Sequence, residues 1–400
     1  MRTIKAVRAR IGRKWLGTCV SAIATVTAAV CLFLVSCKQG KKDASDDYRL
    51  EATGDIKEFV LDSDVRYNLF YAWLFKEKTG KSYFSFLNYR TNQIYFYDWQ
   101  TGQLVKKLTL HAEGPDGVVQ VSGCYVQDFD HIYVSTYAYS GLIRVDTLAH
   151  IVQKIPYGKT EKGYDVLPSY TPSSHPYLPP LFMGDETYIS QSGVERFCPL
   201  EKTPLTVAVD TVRRVCRELL PTYSVLTGEE KAANDLRFSR IATDRGMAYS
   251  FYVKEDLVIA PDNAEEVRLV KAKSRYITSP TGEHKETERG PQLGLELARY
   301  GDMIYDPYRE VYYRFAYPKT TLDSHIQWWG KSVYGRKKFS IILLDKDFRI
   351  IGETLFPEGI YNSYVFLVAE EGLYISRDYQ MLTGNSEDTI TFERFELKKQ

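Results

Sequence analysis

An apolar strand that ends on an aspartate and leads, a few residues later, into a second alternating strand recurs five times after residue 50, and few folds accommodate such a repeat. The units run from 93–98 into 103–110, 141–146 into 151–155, 205–210 into 211–219, 257–262 into 267–270, and 339–345 into 348–355. Aspartate suits the turn because its carboxylate accepts hydrogen bonds from the amides that follow it. Asp98, Asp146, Asp210, Asp262 and Asp345 are separated by 48, 64, 52 and 83 residues. A spacing near 50 with insertions is that of a β-propeller blade of four antiparallel strands. A sixth unit begins at 389–397, but the chain stops at Gln400 before its outer strand. A ring has to hide its edges, and the strand-like segment 56–61 is placed to supply the missing strand.

The expected fold is therefore all-β, a β-propeller of six blades closed by an N-terminal strand. Seven blades fit if the 83-residue interval holds an extra unit, whereas the polar stretch 279–291 inside it favours one blade with an insertion. A pair of β-sandwiches is the competing architecture, although no linker marks a boundary between two such domains. Helical patterning is confined to 227–235, and 31 Tyr with 19 Phe suit strands and aromatic-lined surfaces.

Ahead of the repeats, residues 1–36 carry six basic residues, no acidic one, and a largely apolar run over 15–35, the layout of a secretory signal. The segment ends in Leu34-Val35-Ser36-Cys37, which resembles the lipobox of bacterial lipoproteins. The resemblance implies cleavage between Ser36 and Cys37, a diacylglycerol on the Cys37 thiol, and acylation of the new amino group. An uncleaved membrane helix is the alternative, since about 21 apolar residues span a bilayer, but a helix has no use for a cysteine at that place. Several acyl chains hold a protein at a membrane where one alone is marginal. Residues 37–48 are polar and aperiodic and read as a flexible tether, leaving 49–400 for the propeller. Asp43, Asp46 and Asp47 resemble a surface-export signal but lie several residues late. The expected site is the outer membrane, on its periplasmic or its surface side.

Without the leader the formal charge falls from +1 to −5, which argues against a nucleic-acid partner. Cys124, Cys198 and Cys216 lack zinc-site spacing; Cys198 and Cys216 either pair across a local hairpin or stay as buried thiols. Nucleophile elbows, HExxH and phosphate-cradling glycine loops are all missing, so no catalytic residue, metal or cofactor is assigned.

Binding candidates fall in three places. Glu113 in 111–117 and Glu358 in 356–359 sit on sharp turns joining one blade to the next, where ligands usually meet a propeller; turn chemistry alone is the reading favoured over binding. In 305–315, Asp306 begins a turn that includes Arg309, and Tyr312 and Arg314 share the strand face opposite Val311, Tyr313 and Phe315. Arg314 either points into the channel to hold an anion bidentately, pairs with a neighbouring blade's carboxylate, or is solvated. His325, Trp328 and Trp329 either stack a sugar ring or peptide or are half-buried packing.

The lipobox, the aspartate hairpins, Glu113-Gly114-Pro115 and the 305–314 segment together resemble an uncharacterised domain family of Bacteroides-type lipoproteins with a six-bladed, TolB-like propeller. The resemblance covers roughly residues 37–400 and implies a Gram-negative envelope, a propeller and no reaction. The leading expectation is a lipid-anchored monomer that binds a protein, peptide or glycan. A propeller hydrolase or lyase acting on envelope or dietary polysaccharide is the alternative, and a purely structural envelope protein the third. Cys37→Ala is predicted to abolish labelling by radioactive palmitate and to move the protein out of the membrane fraction; a mutant still acylated and sedimenting with membranes refutes the anchor.

Overall fold

Each aspartate hairpin is the outer half of a four-stranded antiparallel sheet in the computed structural model, which describes residues 47–65, 69, 72–168, 178–191, 198–233, 235–261, 266–281, 295–321, 335–379 and 388–400. Six such sheets form the blades of a propeller. Blade 1 contains β2 (Trp73–Lys76), β3 (Ser82–Asn88), β4 (Gln93–Asp98) and β5 (Leu104–Thr109); blade 2 contains β6 (Val121–Asp128), β7 (His131–Thr136), β8 (Tyr139–Val145) and β9 (Ile151–Pro156). Blade 3 follows with β10 (Leu181–Met183), β11 (Glu186–Ser190), β12 (Pro204–Asp210) and β13 (Cys216–Thr222). Blade 4 has β14 (Phe238–Thr243), β15 (Gly246–Phe251), β16 (Asp256–Ala260) and β17 (Arg268–Lys271). Blade 5 has β18 (Arg299–Asp306), β19 (Val311–Tyr317), β20 (Ser340–Leu344) and β21 (Ile350–Leu355). In each, the first strand is innermost and the hairpin read from sequence supplies the outer two.

The aspartates do the work the repeat demands of them. Asp98 accepts from the amides of Gln100 and Thr101, Asp146 from Leu148 and His150, Asp210 from Val212 and Arg213, and Asp345 from Asp347 and Arg349, all at 2.7–2.9 Å. Asp262 lies outside the described residues. After Asp210 the turn runs on to Val215, so β13 starts at Cys216 rather than at 211 as the alternation implied. Two amides held by Asp210 and a positive φ at Arg214 keep those residues out of the ladder.

Blade 6 is built from both ends of the chain. Its strands β22 (Asn362–Ala369), β23 (Gly372–Ser376) and β24 (Thr389–Lys399) come last in sequence, and β1 (Tyr48–Val60) pairs with β24 as the outer edge. The register runs from Tyr48 opposite Lys399 to Val60 opposite Thr389, with a break between Ala52 and Ile56. The closing strand is thus longer than the segment 56–61 that sequence alone marks. Phe59 carries it into the core, fully buried against Phe84, Tyr97, Trp99 and Phe392 at centroid distances of 4.7–6.1 Å. Lys57 Nζ donates to the Trp99 carbonyl at 2.8 Å, and the Leu50 amide to Thr354 Oγ1 at 2.8 Å, so β1 also touches blades 1 and 5. Gly352 is required there, because a Cβ would drive into the Tyr48 carbonyl.

Between blades the space is filled by side chains alternating from facing sheets. Blade 5 shows the rule: Val311, Tyr313 and Phe315 pack toward blade 6, and Tyr312 and Ala316 toward blade 4. The helical patterning at 227–235 corresponds to one turn, Gly228–Ala232, opened by a Thr227–Glu230 capping box. Cys124, Cys198 and Cys216 are free thiols, so no disulfide joins Cys198 to Cys216; the Cys216 Sγ–H is buried against the Tyr157 carbonyl.

Phe59→Ala removes the aromatic plug of the closing strand and is predicted to cost about 3–5 kcal/mol. Denaturant unfolding checks this, and a loss below about 1 kcal/mol means that β1 is not what holds the ring shut.

Candidate functional site

Two ends of the ring carry the connections, and a cluster of arginines and tyrosines forms at one of them. At the end where blade-to-blade loops enter, blades 4, 5 and 6 bring together Asp235 and Arg237 ahead of β14, Tyr252 after β15, Arg299 and Asp302 of β18, Tyr317 of β19, Arg336 ahead of β20, and Tyr364 of β22. Arg237 and Asp235 pair bidentately, with Nε and Nη2 each 2.7 Å from a carboxylate oxygen. Arg299 Nε lies 3.8 Å from the same carboxylate. Arg237 stacks over Tyr252 at 4.7 Å, whose hydroxyl donates to Asp302 Oδ1 at 2.7 Å. Arg336 stands 5.2 Å over the Tyr317 ring, which meets Tyr364 edge-on at 6.1 Å.

The backbone fixes this geometry. The Tyr252 amide donates to the Arg237 carbonyl and the Tyr300 amide to the Tyr252 carbonyl, knitting blade 4 to blade 5 beside the cluster. Gly301 has no side chain because any Cβ would collide with the Tyr317 ring. Gly335, at φ +76°, brings Arg336 close to blade 6, where its amide donates to Ser363 Oγ at 2.8 Å; a Cβ at 335 would lie 2.7 Å from the Ser363 amide nitrogen.

Burial sets the electrostatics. It pushes the phenols of Tyr252 and Tyr317 well above their ordinary value, so both are neutral hydrogen-bond donors. It pulls Arg299 down to about 10, which leaves it charged at neutral pH, and it lowers Arg336. For Asp235 burial acts upward, but the Arg237 and Arg299 guanidinium groups outweigh it and hold the carboxyl below its usual range. The cluster is therefore a cationic and phenolic network whose guanidinium groups are themselves held, Arg237 by Asp235, Arg299 Nη1 by the Pro280 and Ala298 carbonyls, and Arg336 Nη2 by the Leu297 carbonyl. Such a set recognises anions and hydroxyl-rich ligands. A general base would need a group that loses its proton near neutral pH, and these phenols do not.

The residues singled out from sequence lie elsewhere. Arg314 neither reaches the channel nor finds a carboxylate: it is fully buried between blades 5 and 4. Its Nε donates to Ser250 Oγ at 2.9 Å, Nη1 to the carbonyls of Glu255 and Ala272 at 2.5 and 2.8 Å, and Nη2 to Lys254 at 2.6 Å. The reason is that strand faces in a propeller look at neighbouring blades, and only the inner edge looks at the channel. Tyr312, on the same face, stacks on Phe348 at 4.6 Å. Asp306 is buried and accepts from the Tyr308 and Arg309 amides, from Arg309 Nη1 and from the Tyr313 hydroxyl. Arg309 reaches on to the carbonyls of Ala369 and Glu370, so the pair ties blade 5 to blade 6. Glu113 is exposed on a turn closed by the Gly117 and Val118 amides, and Glu358 is exposed and ion-paired with Lys338 at 3.1 Å. His325, Trp328 and Trp329, like Ser36 and Cys37, lie outside the described residues.

No group of three or more metal-ligating side chains occurs among the described residues, and no described helix is long and apolar enough to cross a membrane. The residues of the cluster escaped sequence reading because they come from five separate connections, none with a local motif. The structure defines a six-bladed β-propeller with an arginine–tyrosine cluster at its loop end. The chain belongs to the family described as domain of unknown function DUF4221, whose profile matches residues 47–355. A crystal structure of a member of that family from Bacteroides vulgatus is 25% identical, covers 89% of this chain and 100% of its own, and superposes with a TM-score of 0.74. A putative exported protein from Bacteroides fragilis is 10% identical over 88% of this chain and 96% of its own, with a TM-score of 0.47. No curated protein matches the chain.

Because Arg314 uses its planar fork, Arg314→Lys is predicted to lower unfolding stability by about 2 kcal/mol despite keeping the charge. Denaturant titration tests this; an unchanged midpoint shows that charge alone suffices.

Proposed function

We propose that this protein is a binding module of the cell envelope whose ligand is an acidic glycan, taken at the loop end of blades 4–6. The observation that supports it is the gathering of Arg237, Arg299 and Arg336 with Tyr252, Tyr317 and Tyr364 on one side of the ring. Guanidinium groups pair with the carboxylates of sugar acids, and neutral phenols donate to sugar hydroxyls while offering flat ring faces. A rigid ring presenting loops over one face binds without needing internal chemistry. The basic, apolar leader ending in Leu34-Val35-Ser36-Cys37 supports lipid anchoring at the outer membrane, on its periplasmic or surface side.

Calorimetric titration of the full chain with oligogalacturonate and with its neutral methyl ester tests the reading. The acid is expected to bind at least about tenfold more tightly, and Arg237→Gln, which alters a partly exposed member, to remove most of that preference. Equal binding of the two compounds, or undiminished preference in the variant, removes the reading. New reducing ends appearing during incubation replace it with a hydrolase or lyase.

A further inference from the structure

The central channel holds a charged residue that the loop-end cluster does not use. Inner strands β2, β10, β14, β18 and β22 surround a cavity of about 280 Å³. Most of its wall is apolar, with Trp73, Leu181, Ile241, Met303 and Phe366 among the side chains that face one another across it. Arg240 of β14 interrupts that wall.

Arg240 is only 2% exposed. Its Nη2 donates to the carbonyls of Pro179 and Tyr188 at 2.5 and 3.3 Å, while Nε and Nη1 have no hydrogen-bond partner. The buried Arg314 is treated differently, with every nitrogen on an acceptor. No described carboxylate pairs with Arg240; burial draws its guanidinium down to about 10, and the neighbouring Tyr249 phenol is itself raised by burial and so neutral. At that value Arg240 is still a cation at neutral pH. A buried cation with unmet donors is strongly disfavoured, and an anion beside it would relieve that cost. Arg240 is among the residues that line the cavity.

We propose that the channel cavity binds the carboxylate of a small amphipathic molecule, with Arg240 as the counter-charge and the apolar wall receiving the ligand's body. The size is appropriate: by water's share of liquid volume the space equals on the order of nine waters, a small molecule of similar heavy-atom count. Low dielectric around the site strengthens the attraction and penalises an uncharged analogue less for entering than for failing to neutralise the arginine. This site is separate from the loop-end cluster, so either assignment stands if the other fails.

The test is calorimetric titration of the full chain with 3-phenylpropionate and with 3-phenylpropanamide, which match in shape and differ in charge. The carboxylate is expected to bind at least about tenfold more tightly than the amide, and Arg240→Met to erase that preference. Ala242→Phe adds a second, independent check, because Ala242 is exposed and lines the cavity, so the larger ring fills the space without replacing the cation. It is expected to abolish binding of both compounds. Equal affinity for acid and amide, no binding of either by the unaltered chain, or undiminished carboxylate binding in Arg240→Met or Ala242→Phe overturns the proposal.

Discussion

The pairing of β1 with β24 is the interaction on which the rest of this molecule depends. Five blades are continuous in sequence, and each is complete within itself. The sixth ends on β24, whose outer edge would otherwise expose a row of unpaired amides and carbonyls. Ten paired positions with β1 cover that edge. The same strand inserts Phe59 between blades 6 and 1 and leans on blade 5 at Gly352 and Thr354, so one segment secures two interfaces as well as one sheet.

With the ring closed, the difficulty becomes polar groups in narrow places, and the arginines show four answers. Arg314 is satisfied by backbone carbonyls of the next blade and acts as a rivet between blades 4 and 5. Arg309 joins Asp306 and the carbonyls of blade 6. Arg237 and Arg299 share Asp235 at the loop end, and Arg240 keeps two nitrogens unpaired beside the channel. The first two arrangements resist change, since removing either partner strands a buried polar group. In the third, two guanidinium groups divide one carboxylate between them, and in the fourth no described carboxylate faces the cation.

What was legible in the sequence was what is local. Strand alternation and the aspartate turns depend on residues within about ten positions of each other, so the outer hairpins, the blade count and the closing strand were visible there. The faces of β19 were also assigned correctly, with Tyr313 and Phe315 on one side and Tyr312 and Arg314 on the other. What each face meets is another matter. Alternation says that Arg314 turns away from Phe315, but not that the space on that side is blade 4 rather than the channel. Arg240 is the converse case. Nothing in Phe238-Ser-Arg-Ile-Ala-Thr243 distinguishes its arginine from Arg314; the difference is the carbonyls within reach, and those lie 42 positions away or more. The loop-end cluster is scattered between residues 235 and 364 and becomes a site only when three blades are side by side.

The closing strand also dictates an order of events. β1 is the first described segment of the chain to be made, and its partner β24 is the last, with contacts such as Asp55 to Arg394 spanning 339 positions. A nascent chain therefore emerges with a β-strand that has nowhere to dock until the final residues are available. Fold formation dominated by such distant pairings is slow, and edges left waiting are sticky. The finished ring is sealed, but a fully made chain that has not yet closed carries two complementary open edges, one at each end. Two such copies lying close together would find in one another the strand that each has yet to pair.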